Sequence, residues 1–541
     1  MKDLIKKHAL LNALEYNGKA NVQSVLGKVL AENPELKKDM ATLGKETSKI
    51  VKEINSWSLE KQKKELEKFG KIERPKKEER EGLPPLPNAE MGKVVTRLPP
   101  EPSKYNHIGH ALSFLINYMY AKMYKGKCIL RFEDTNPEKV KKEYVDAMKE
   151  DVLDYLDIKP DKIVFSSNDI PKMYEYAEKI IREGKAYVCT CSVEKTRRLR
   201  HEGIECEHRG ISVEENLKMW KGMLGKKYKD GEAALRLKID MQALNQALRD
   251  PAIFRIAYAE HFLQGRKYHV WPLYDFQNVI EDELCGITHI FRSSEFRLDL
   301  QNYIKDLLGF RKQTVIQYGR FEVEGAITQG REIRKLIEEG RIKGWDDPRL
   351  VTLKALKKRG IAKETYYRIA EKLGLNPTNA KIQWHMIAAE NRKIIDPISP
   401  RFFFVGEPIE ITLSKVPKKT VKAPSLPGKK IYRKIPVTKK IFVDKIDFVQ
   451  YKGKEVRLMH FCNIIMDKKA KVTSIKLKDV PKIHWVSSKN AKINLVMPDA
   501  KEVEGLAEPD IIKIKPNQTV QLERIGFARC DKKGLFYFAH K

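Results

Sequence analysis

The sequence contains little cysteine and no long apolar run, and both shortages exclude whole classes of protein. Seven cysteines are scattered over 541 residues, which is too few and too dispersed for the disulfide framework of a small secreted protein. No segment reaches the ~18 consecutive apolar residues that a membrane-spanning helix requires. The first residues, MKDLIKKHALLNALEY, lack the apolar core of a signal peptide. We therefore expect a reduced, cytoplasmic protein without a membrane span.

Acidic residues are scarce relative to basic ones. The chain has 105 Lys and Arg against 73 Asp and Glu, a formal net charge of +32. A surplus of this size attracts polyanions over much of a protein surface, so nucleic acid is the leading partner. A lysine-rich solubilising or heat-adapted surface is the alternative, although such surfaces usually carry matching glutamate.

The length predicts several domains, and changes in composition and periodicity give their boundaries. A helical module and a charged, Pro-containing linker come first, and two halves of a Rossmann-type α/β domain flank an insertion. A helical connecting segment follows, and then short β-branched and aromatic runs that indicate antiparallel β-barrels. In this order the predicted ranges are 1–88, 89–185, 186–262, 263–325, 326–395 and 396–541.

A Pro-rich loop before the first long helix of the α/β region carries His107, Ile108, Gly109 and His110. A helix N-terminus offers free N–H groups and the positive end of a dipole to phosphate. Gly109 lets a nucleotide approach the backbone, and two histidines one turn apart share a face. This turn favours ATP binding, although the four residues alone are equally compatible with surface histidines.

Beyond this point the sequence resembles one family closely. TRLPPEPSKYNHIGHA is similar to the first ATP signature of class I glutamyl- and glutaminyl-tRNA synthetases, and RFEDTNP resembles their next signature. The likeness continues in order through YHVWPLYDF, GITHIFRSSE, GWDDPRL and QLERIGFARCD, and ALLNALEYNGKANVQSVLGKVL resembles the archaeal branch of glutamyl enzymes. The resemblance implies an enzyme that activates L-glutamate with ATP and Mg²⁺ and transfers it to tRNA(Glu). Whether tRNA(Gln) is also charged stays open.

The resemblance also implies roles for four residues of the amino-acid pocket. Glu133 matches the acidic residue that holds the α-ammonium group, and Arg97 matches the residue that meets the substrate side chain. Arg292 stands where glutamyl enzymes have arginine and glutaminyl enzymes have a small uncharged residue, and Tyr274 lines the same pocket. A second buried cation favours a carboxylate substrate, so we expect glutamate. Interstrand salt bridges and core packing are the alternative roles.

The chain departs from the family at the second ATP signature. Counting back from GWDDPRL places Thr328-Gln329-Gly330-Arg331 where the family resembles Met-Ser-Lys-Arg, so the lysine is missing. Losing one preorganised group that stabilises a leaving pyrophosphate typically costs ~10²- to 10³-fold in rate. In the first signature, Lys104 replaces the usual Gly and Asn106 replaces the usual Leu.

We hypothesise that another basic side chain supplies the missing charge. We predict that Arg331 contacts the phosphates while His107 and His110 stabilise the transition state. Arg334 and Lys104 are alternatives, because a long basic side chain can replace a charge even where it cannot replace its geometry.

The insertion carries a candidate metal site. Cys189, Cys191, Cys206 and His208 form two pairs of soft ligands that suit a structural, tetrahedral Zn²⁺. Some glutamyl enzymes are similar in carrying such a zinc. Free thiols in a cytosolic loop are the alternative.

The resemblance further implies that the insertion binds the acceptor end of tRNA and that the barrels bind the anticodon. It also implies that tRNA must be bound before glutamate is activated, and we expect a monomer. Two rival functions stay open. One is a glutaminyl enzyme, which Arg292 opposes, and the other is a tRNA-binding paralogue impaired by loss of the lysine.

Overall fold

The computed structural model describes residues 1–16, 18–69, 82–293 and 297–541. The chain divides into two compact units, Met1–Glu81 and Gly82–Lys541. Much of the predicted linker falls on residues 70–81, outside the described residues. Leu86 is buried in the core of the second unit, so the chain just before the predicted boundary at residue 88 packs with the α/β domain.

The first unit is helical, as the spacing of its apolar residues predicts. Ile5, Leu10 and Val25 lie in its core, and the side chain of Asn21 caps the second helix by accepting a hydrogen bond from the Ser24 N–H at 3.1 Å. The helices are α1 (Lys2–Glu15), α2 (Val22–Glu32), α3 (Met40–Asn55) and α4 (Leu59–Glu67), with a 3₁₀ helix at Pro34–Asp39.

The second unit begins with the first half of the α/β domain. Its long central helix presents Leu112, Leu115 and Ile116, all fully buried, to the core. The elements are β1 (Val95–Leu98), α5 (Ile108–Met123), β2 (Lys127–Phe132), α6 (Lys142–Lys149), a π-helix at Glu150–Tyr155, β3 (Lys162–Phe165) and α7 (Ile170–Arg182).

The insertion forms an antiparallel sheet. Its elements are β4 (Ala186–Cys189), α8 (Val193–Glu202), α9 (Val213–Leu224), β5 (Ala234–Leu237), β6 (Ala252–Ile256) and β7 (Val270–Pro272), and the strand order is β4-β5-β6-β7. The apolar run YHVW is predicted from its sequence to start the second α/β half. That placement is wrong, because β7 pairs antiparallel with β6, with Trp271 opposite Arg255.

The second half of the α/β domain follows as α10 (Tyr274–Leu284), β8 (His289–Arg292), α11 (Leu298–Leu308) and β9 (Thr314–Gln317). Strands β1, β2 and β3 form one parallel sheet, and β8 and β9 form a parallel pair. The Thr288 N–H donates to the Val95 carbonyl at 3.0 Å, so β8 lies beside β1. The carboxyl ends of the strands consequently share one edge, where such folds bind ligands.

The connecting segment is mainly helical, but it also contains a parallel strand pair. Its elements are β10 (Phe321–Val323), α12 (Gly330–Glu338), α13 (Leu353–Lys358), α14 (Lys363–Leu373), β11 (Ala380–Ile382) and α15 (Trp384–Ile395). Strand β10 pairs with β11, so residues on either side of the altered second signature are joined.

The C-terminal region contains two seven-stranded sheets and one hairpin, which confirms the predicted β-barrel region. KIFVDKIDF, one of the runs predicted as strands, is a strand only over KIFVD. Its second half begins a helix, because the Asp444 side chain accepts a hydrogen bond from the Ile446 N–H at 3.2 Å. The elements are β12 (Arg401–Phe402), β13 (Phe404–Val405), β14 (Pro408–Leu413), β15 (Thr420–Pro424), β16 (Tyr432–Pro436), β17 (Lys440–Asp444), α16 (Lys445–Tyr451), β18 (Glu455–Leu458), β19 (Asn463–Ile465), β20 (Lys469–Ser474), β21 (Lys482–Ile483), β22 (Val486–Ser487), β23 (Ala491–Val496), β24 (Glu502–Ala507), β25 (Thr519–Leu522), β26 (Gly526–Lys532) and β27 (Leu535–His540).

Among the described helices, none combines the length and the apolar character needed to cross a membrane.

Candidate active site

Four predicted pocket residues lie near the carboxyl edge of the parallel strands. Arg97 is in β1, Glu133 directly follows β2, and Arg292 ends β8. Tyr274 is the first residue of α10, which runs from the inserted sheet towards β8. The doubly wound topology therefore brings together residues that lie far apart in the sequence.

The two histidines of the first ATP signature cap α5. The His107 ring accepts a hydrogen bond from the Gly109 N–H at 3.1 Å, and the His110 Nδ1 accepts one from the His107 N–H at 3.1 Å. The Ile108 N–H donates to the Val351 carbonyl at 3.2 Å. The expectation of free N–H groups at this helix terminus is therefore wrong, since these donors are already occupied.

The histidine rings themselves face a cleft, which we call the ATP cleft after its predicted ligand. Their centroids are 3.9 Å apart, and both line a cleft of about 640 Å³. Burial, assisted by the charge of Lys104, lowers the pKa of His107 to about 4 and holds the pKa of His110 well below its ordinary value. Both rings are consequently neutral at pH 7 and able to donate one N–H each.

Gly109 lines the cleft at a close contact between α5 and β10. A Cβ atom at this position would lie 2.9 Å from His107 Cε1 and 3.1 Å from the Phe321 carbonyl oxygen. Any other residue would therefore displace the histidine or the strand. The glycine that the sequence analysis assigned to nucleotide approach is also needed for this protein contact.

A network of buried charges lies beneath the amino-acid pocket. Asp282 Oδ1 accepts hydrogen bonds from Arg97 Nε and Arg131 Nη1, both at 2.7 Å. Glu133 Oε1 accepts from Arg131 Nη2 at 3.0 Å and from Asn278 Nδ2 at 2.6 Å. Burial alone would raise the pKa of Asp282, but the two arginines hold it below its ordinary value. The network fixes Arg97 and Glu133 before any substrate arrives.

Arg97 combines the two roles that the sequence analysis left open. It forms a buried salt bridge with Asp282, and its Nη2 donates to Asn278 Oδ1 at 3.3 Å. Among the described residues, its Nη1 has no hydrogen-bond partner. The guanidinium is thus held along one edge while the other edge is open to a ligand.

Tyr274 and Glu133 line a second cleft, of about 590 Å³, together with Glu101, Arg255 and other residues. Tyr274 is 45% exposed, but its hydroxyl end is surrounded by charge. Burial and the Glu133 carboxylate raise the pKa of Tyr274, while Arg97 and Arg292 oppose that rise. The structure therefore brings the other three predicted pocket residues within electrostatic reach of the Tyr274 hydroxyl group.

Arg292 is incompletely paired. Its Nη2 donates to Gln301 Oε1 at 2.9 Å, whereas its Nη1 is buried and has no partner among the residues that the structure describes. A buried, unpaired guanidinium nitrogen is costly unless a ligand completes it. This geometry suits a carboxylate.

The altered second signature lies beside the ATP cleft. Thr328 and Gln329 line the cleft, and α12 begins at Gly330. Arg331 is exposed and has no side-chain hydrogen bond or ion pair among the described residues. Its predicted contact with phosphate thus stays a prediction, since its side chain is not among those that line the cleft.

The predicted metal ligands cluster in the insertion. The ligand atoms of Cys189, Cys191, Cys206 and His208 all lie within 4.8 Å of one another. The Cys189 and Cys206 sulfur atoms are 3.9 Å apart, close to the ~3.8 Å that tetrahedral Zn²⁺ with ~2.3 Å Zn–S bonds would impose. Thr190 Oγ1 lies 2.8 Å from His208 Nε2, which leaves His208 Nδ1 for the metal. These residues fit a zinc ion.

Sequence reasoning missed Asp282, Arg131 and Asn278, which hold the pocket together. Asp282 lies in IEDEL, a stretch that looks like the solvent face of a helix, yet α10 buries Asp275, Glu281 and Asp282. A helix whose buried positions are polar was the available signal. Arg320, which also lines the ATP cleft, was missed because its surroundings show no motif.

Comparisons with known proteins agree with this site. Residues 93–397 match the family model described as tRNA synthetases class I (E and Q), catalytic domain. Residues 399–479 and 482–531 match two models of the corresponding anti-codon binding domain.

Curated relatives are similar over the whole length of the chain. It is 41% identical to the glutamate–tRNA ligase of Pyrococcus furiosus, covering 100% of both chains. It is 42% identical to that of Pyrococcus abyssi, covering 99% of both, and 38% identical to that of Methanocaldococcus jannaschii, covering 98% of both. The resemblance to archaeal enzymes is confirmed, and the chain belongs to the class I tRNA synthetases for glutamate and glutamine.

Proposed function

We propose that this protein is a glutamate–tRNA ligase that activates L-glutamate with ATP and transfers it to tRNA(Glu). The observation that carries the choice of amino acid is the buried, unpaired Nη1 of Arg292. A glutamate carboxylate completes that guanidinium, whereas the amide of glutamine presents an N–H₂ donor that the guanidinium repels.

The pocket accounts for both ends of the amino acid. The open edge of Arg97 and the Tyr274 hydroxyl accompany Arg292 around the side-chain carboxylate. Glu133 lines the adjoining cleft and accepts the α-ammonium group. Because Glu133 and Arg97 are fixed by Asp282 and Arg131, little conformational freedom is lost when glutamate binds.

ATP, with Mg²⁺ on its phosphates, occupies the cleft lined by His107, Gly109 and His110. The glutamate α-carboxylate oxygen attacks the α-phosphorus, the bond to the bridging oxygen breaks, and pyrophosphate leaves. The neutral histidines donate N–H groups to the phosphate oxygens as charge develops. The protein therefore contributes positioning and charge stabilisation rather than covalent chemistry.

Transfer to tRNA follows when the terminal ribose hydroxyl attacks the adenylate carbonyl and AMP leaves. The inserted sheet binds the acceptor end in this proposal, and the C-terminal sheets bind the anticodon. Hairpin β15–β16 offers exposed Lys422 and Lys434 directly opposite each other, which suits contact with phosphate. The requirement for bound tRNA and charging of tRNA(Gln) stay predictions, as do the cytoplasmic location and the monomeric state.

Zinc would stabilise the insertion. Cys189 ends β4 and Cys191 follows two residues later. Cys206 and His208 belong to the segment after α8, so one ion would join two parts of the acceptor-binding domain. With four protein ligands no open position is left for chemistry. Metal analysis of the purified protein should find about one zinc per chain, and Cys206→Ser should lower that content and the thermal stability, with Cys285→Ser as the control.

The two rivals make different predictions. A glutaminyl enzyme would charge glutamine in preference to glutamate, despite Arg292. An impaired paralogue would bind tRNA but form no adenylate, as the missing lysine suggests. The intact pocket network opposes the paralogue, because buried charges that serve no substrate are destabilising.

Charging of a total tRNA pool with radiolabelled glutamate or glutamine, in the presence of ATP and Mg²⁺, separates these functions. Glutamate attachment at ordinary rates supports the proposal. Preferential attachment of glutamine would replace it with the glutaminyl function. Tight tRNA binding without attachment of either amino acid would support the impaired paralogue.

A further inference from the structure

We propose that Lys104, in the loop before α5, supplies the cation that stabilises the leaving pyrophosphate. This inference rests on the proposed function. It assigns the positive charge missing from the second signature to Lys104, a side chain outside that signature.

Lys104 lies in the loop that leads into the start of α5, where the cleft is lined by the two histidines. It precedes the N-cap of α5 by three residues, and its charge is felt by both His107 and His110. These histidines line the cleft, with Gly109 between them. The flexible four-carbon side chain of Lys104 can extend from this loop towards a triphosphate bound in the cleft.

The side chain of Lys104 packs against Gly330. A Cβ atom at residue 330 would lie 3.0 Å from Lys104 Cδ and 3.1 Å from Lys104 Cβ. A side chain at residue 330 would therefore require the lysine stem to move. Gly330 stands where the family pattern has its lysine and Lys104 stands where that pattern has glycine, so the two departures are in direct contact. A lysine at either position has its stem in the same space.

The loop is also tied to α12 from the other side. Arg334 Nη1 donates to the Ser103 carbonyl at 3.0 Å. This contact joins the first and second signatures and holds the backbone next to Lys104. Arg334 itself is thereby engaged with the loop, which makes it a positioning residue.

Lys104 is half-buried and lacks a counter-ion. Its Nζ has no ion pair within 4.0 Å and no hydrogen bond among the described residues. Burial lowers its pKa, Glu101 opposes that change and Arg334 reinforces it. A half-buried cation without a partner is better stabilised once an anion arrives. Neither Lys104 nor Arg331 is among the residues that line the cleft, but Arg331, unlike Lys104, is exposed.

The first test separates the charge of Lys104 from its packing. Lys104→Met keeps the stem and removes the charge, while Lys104→Arg keeps the charge. With tRNA present, glutamate-dependent ATP–pyrophosphate exchange should fall about 10²-fold in Lys104→Met and much less in Lys104→Arg. Inhibition by pyrophosphate should weaken in Lys104→Met while inhibition by AMP is unchanged, a split that loss of folding would not produce. Lys335→Met, on the exposed face of α12, is the matched control.

The second test exchanges the two contacting residues. Lys104→Gly should lose activity, Gly330→Lys should be impaired by overcrowding, and the double variant should recover most of the activity of the parent. Non-additivity of this sign is the mark of one shared site.

Two results would overturn the assignment: full activity of Lys104→Met, or a double variant no better than its worse single variant. Arg331→Ala losing pyrophosphate affinity while Lys104→Met retains it would move the role to Arg331. If the parent protein charges no tRNA, the proposed function fails instead, so the two failures are distinguishable.

Discussion

The amino-acid pocket and the ATP cleft differ in how their charged side chains are paired. Beneath the pocket the charges are buried, and Arg131 binds both Asp282 and Glu133. At the cleft, Lys104 and Arg320 have no ion pair among the described residues. The difference follows from the charges that each ligand carries. Glutamate contributes two carboxylates and an ammonium group, so its pocket must be rigid and nearly balanced. ATP contributes a large negative charge, so its cleft can leave cations without protein partners. The pocket therefore resists substitution of its charges, while the cleft tolerates a lysine in a new position.

The largest effect should come from breaking the buried network. Asp282→Asn leaves Arg97 and Arg131 without their shared carboxylate, and removing one partner of a buried pair costs about 3–5 kcal/mol. The pKa of Asp282 lies below its ordinary value in the folded protein. The stabilisation that its ionised carboxylate provides is therefore present above pH ~4 and is lost as the pH falls further. Denaturant unfolding at pH 7 should show the loss.

Asp306→Asn is the matched control, because Asp306 is an exposed partner of Lys312. Equal stability of the two variants would mean that the network is not what fixes the pocket.

The next largest effect should be on the choice of amino acid. Arg292→Leu removes the incompletely paired guanidinium, and glutamate kcat/KM should fall about 10- to 10²-fold because a charged hydrogen bond to the substrate is lost. Glutamine should lose far less, so the ratio between the two amino acids should narrow. Charging assays with each amino acid measure this ratio, with the exposed Arg266→Leu as control. An unchanged ratio would remove Arg292 from the pocket.

The acid–base behaviour of Glu281, a buried carboxyl group next to Asp282 in α10, tests the buried network beneath the pocket. Burial raises the pKa of Glu281 to about 8, so the folded protein holds this proton that the unfolded chain releases near pH ~4.3. The contribution of Glu281 to stability is therefore fully present below that pH and is lost as the pH rises towards 8.

Glu281→Gln should remove this dependence. The unfolding temperature should decline less between pH 5 and pH 8.5 than in the parent, by about 2–4 °C. The exposed Glu260→Gln should retain the parent's slope. A slope unaltered by Glu281→Gln would show that this carboxyl group is already ionised in the folded protein.

Residues in the family motifs could be predicted from the sequence because each motif fixes its own local structure. His107 and His110 are found at the start of a helix, and the four cysteine and histidine ligands form one cluster. Side chains that act through contacts far along the chain could not be predicted. The pairing of Arg131 with Asp282 and the packing of Lys104 on Gly330 depend on how the two α/β halves and the connecting segment fold together. The strand at Val270–Pro272 was misplaced because an apolar run carries no mark of which sheet it joins.

The smallest predicted effect is on the rim of the pocket. Tyr274→Phe removes one hydroxyl group and keeps the ring, and a single neutral hydrogen bond contributes about 0.5–1.5 kcal/mol. The KM for glutamate should therefore rise about 2- to 10-fold, with kcat and the KM for ATP almost unchanged. Tyr258→Phe, at a partly exposed tyrosine of the insertion, controls for the loss of a hydroxyl elsewhere. A fall in kcat comparable to that of Arg292→Leu would contradict the comparison, because it would place Tyr274 with the fixed charges of the pocket rather than at its adaptable rim.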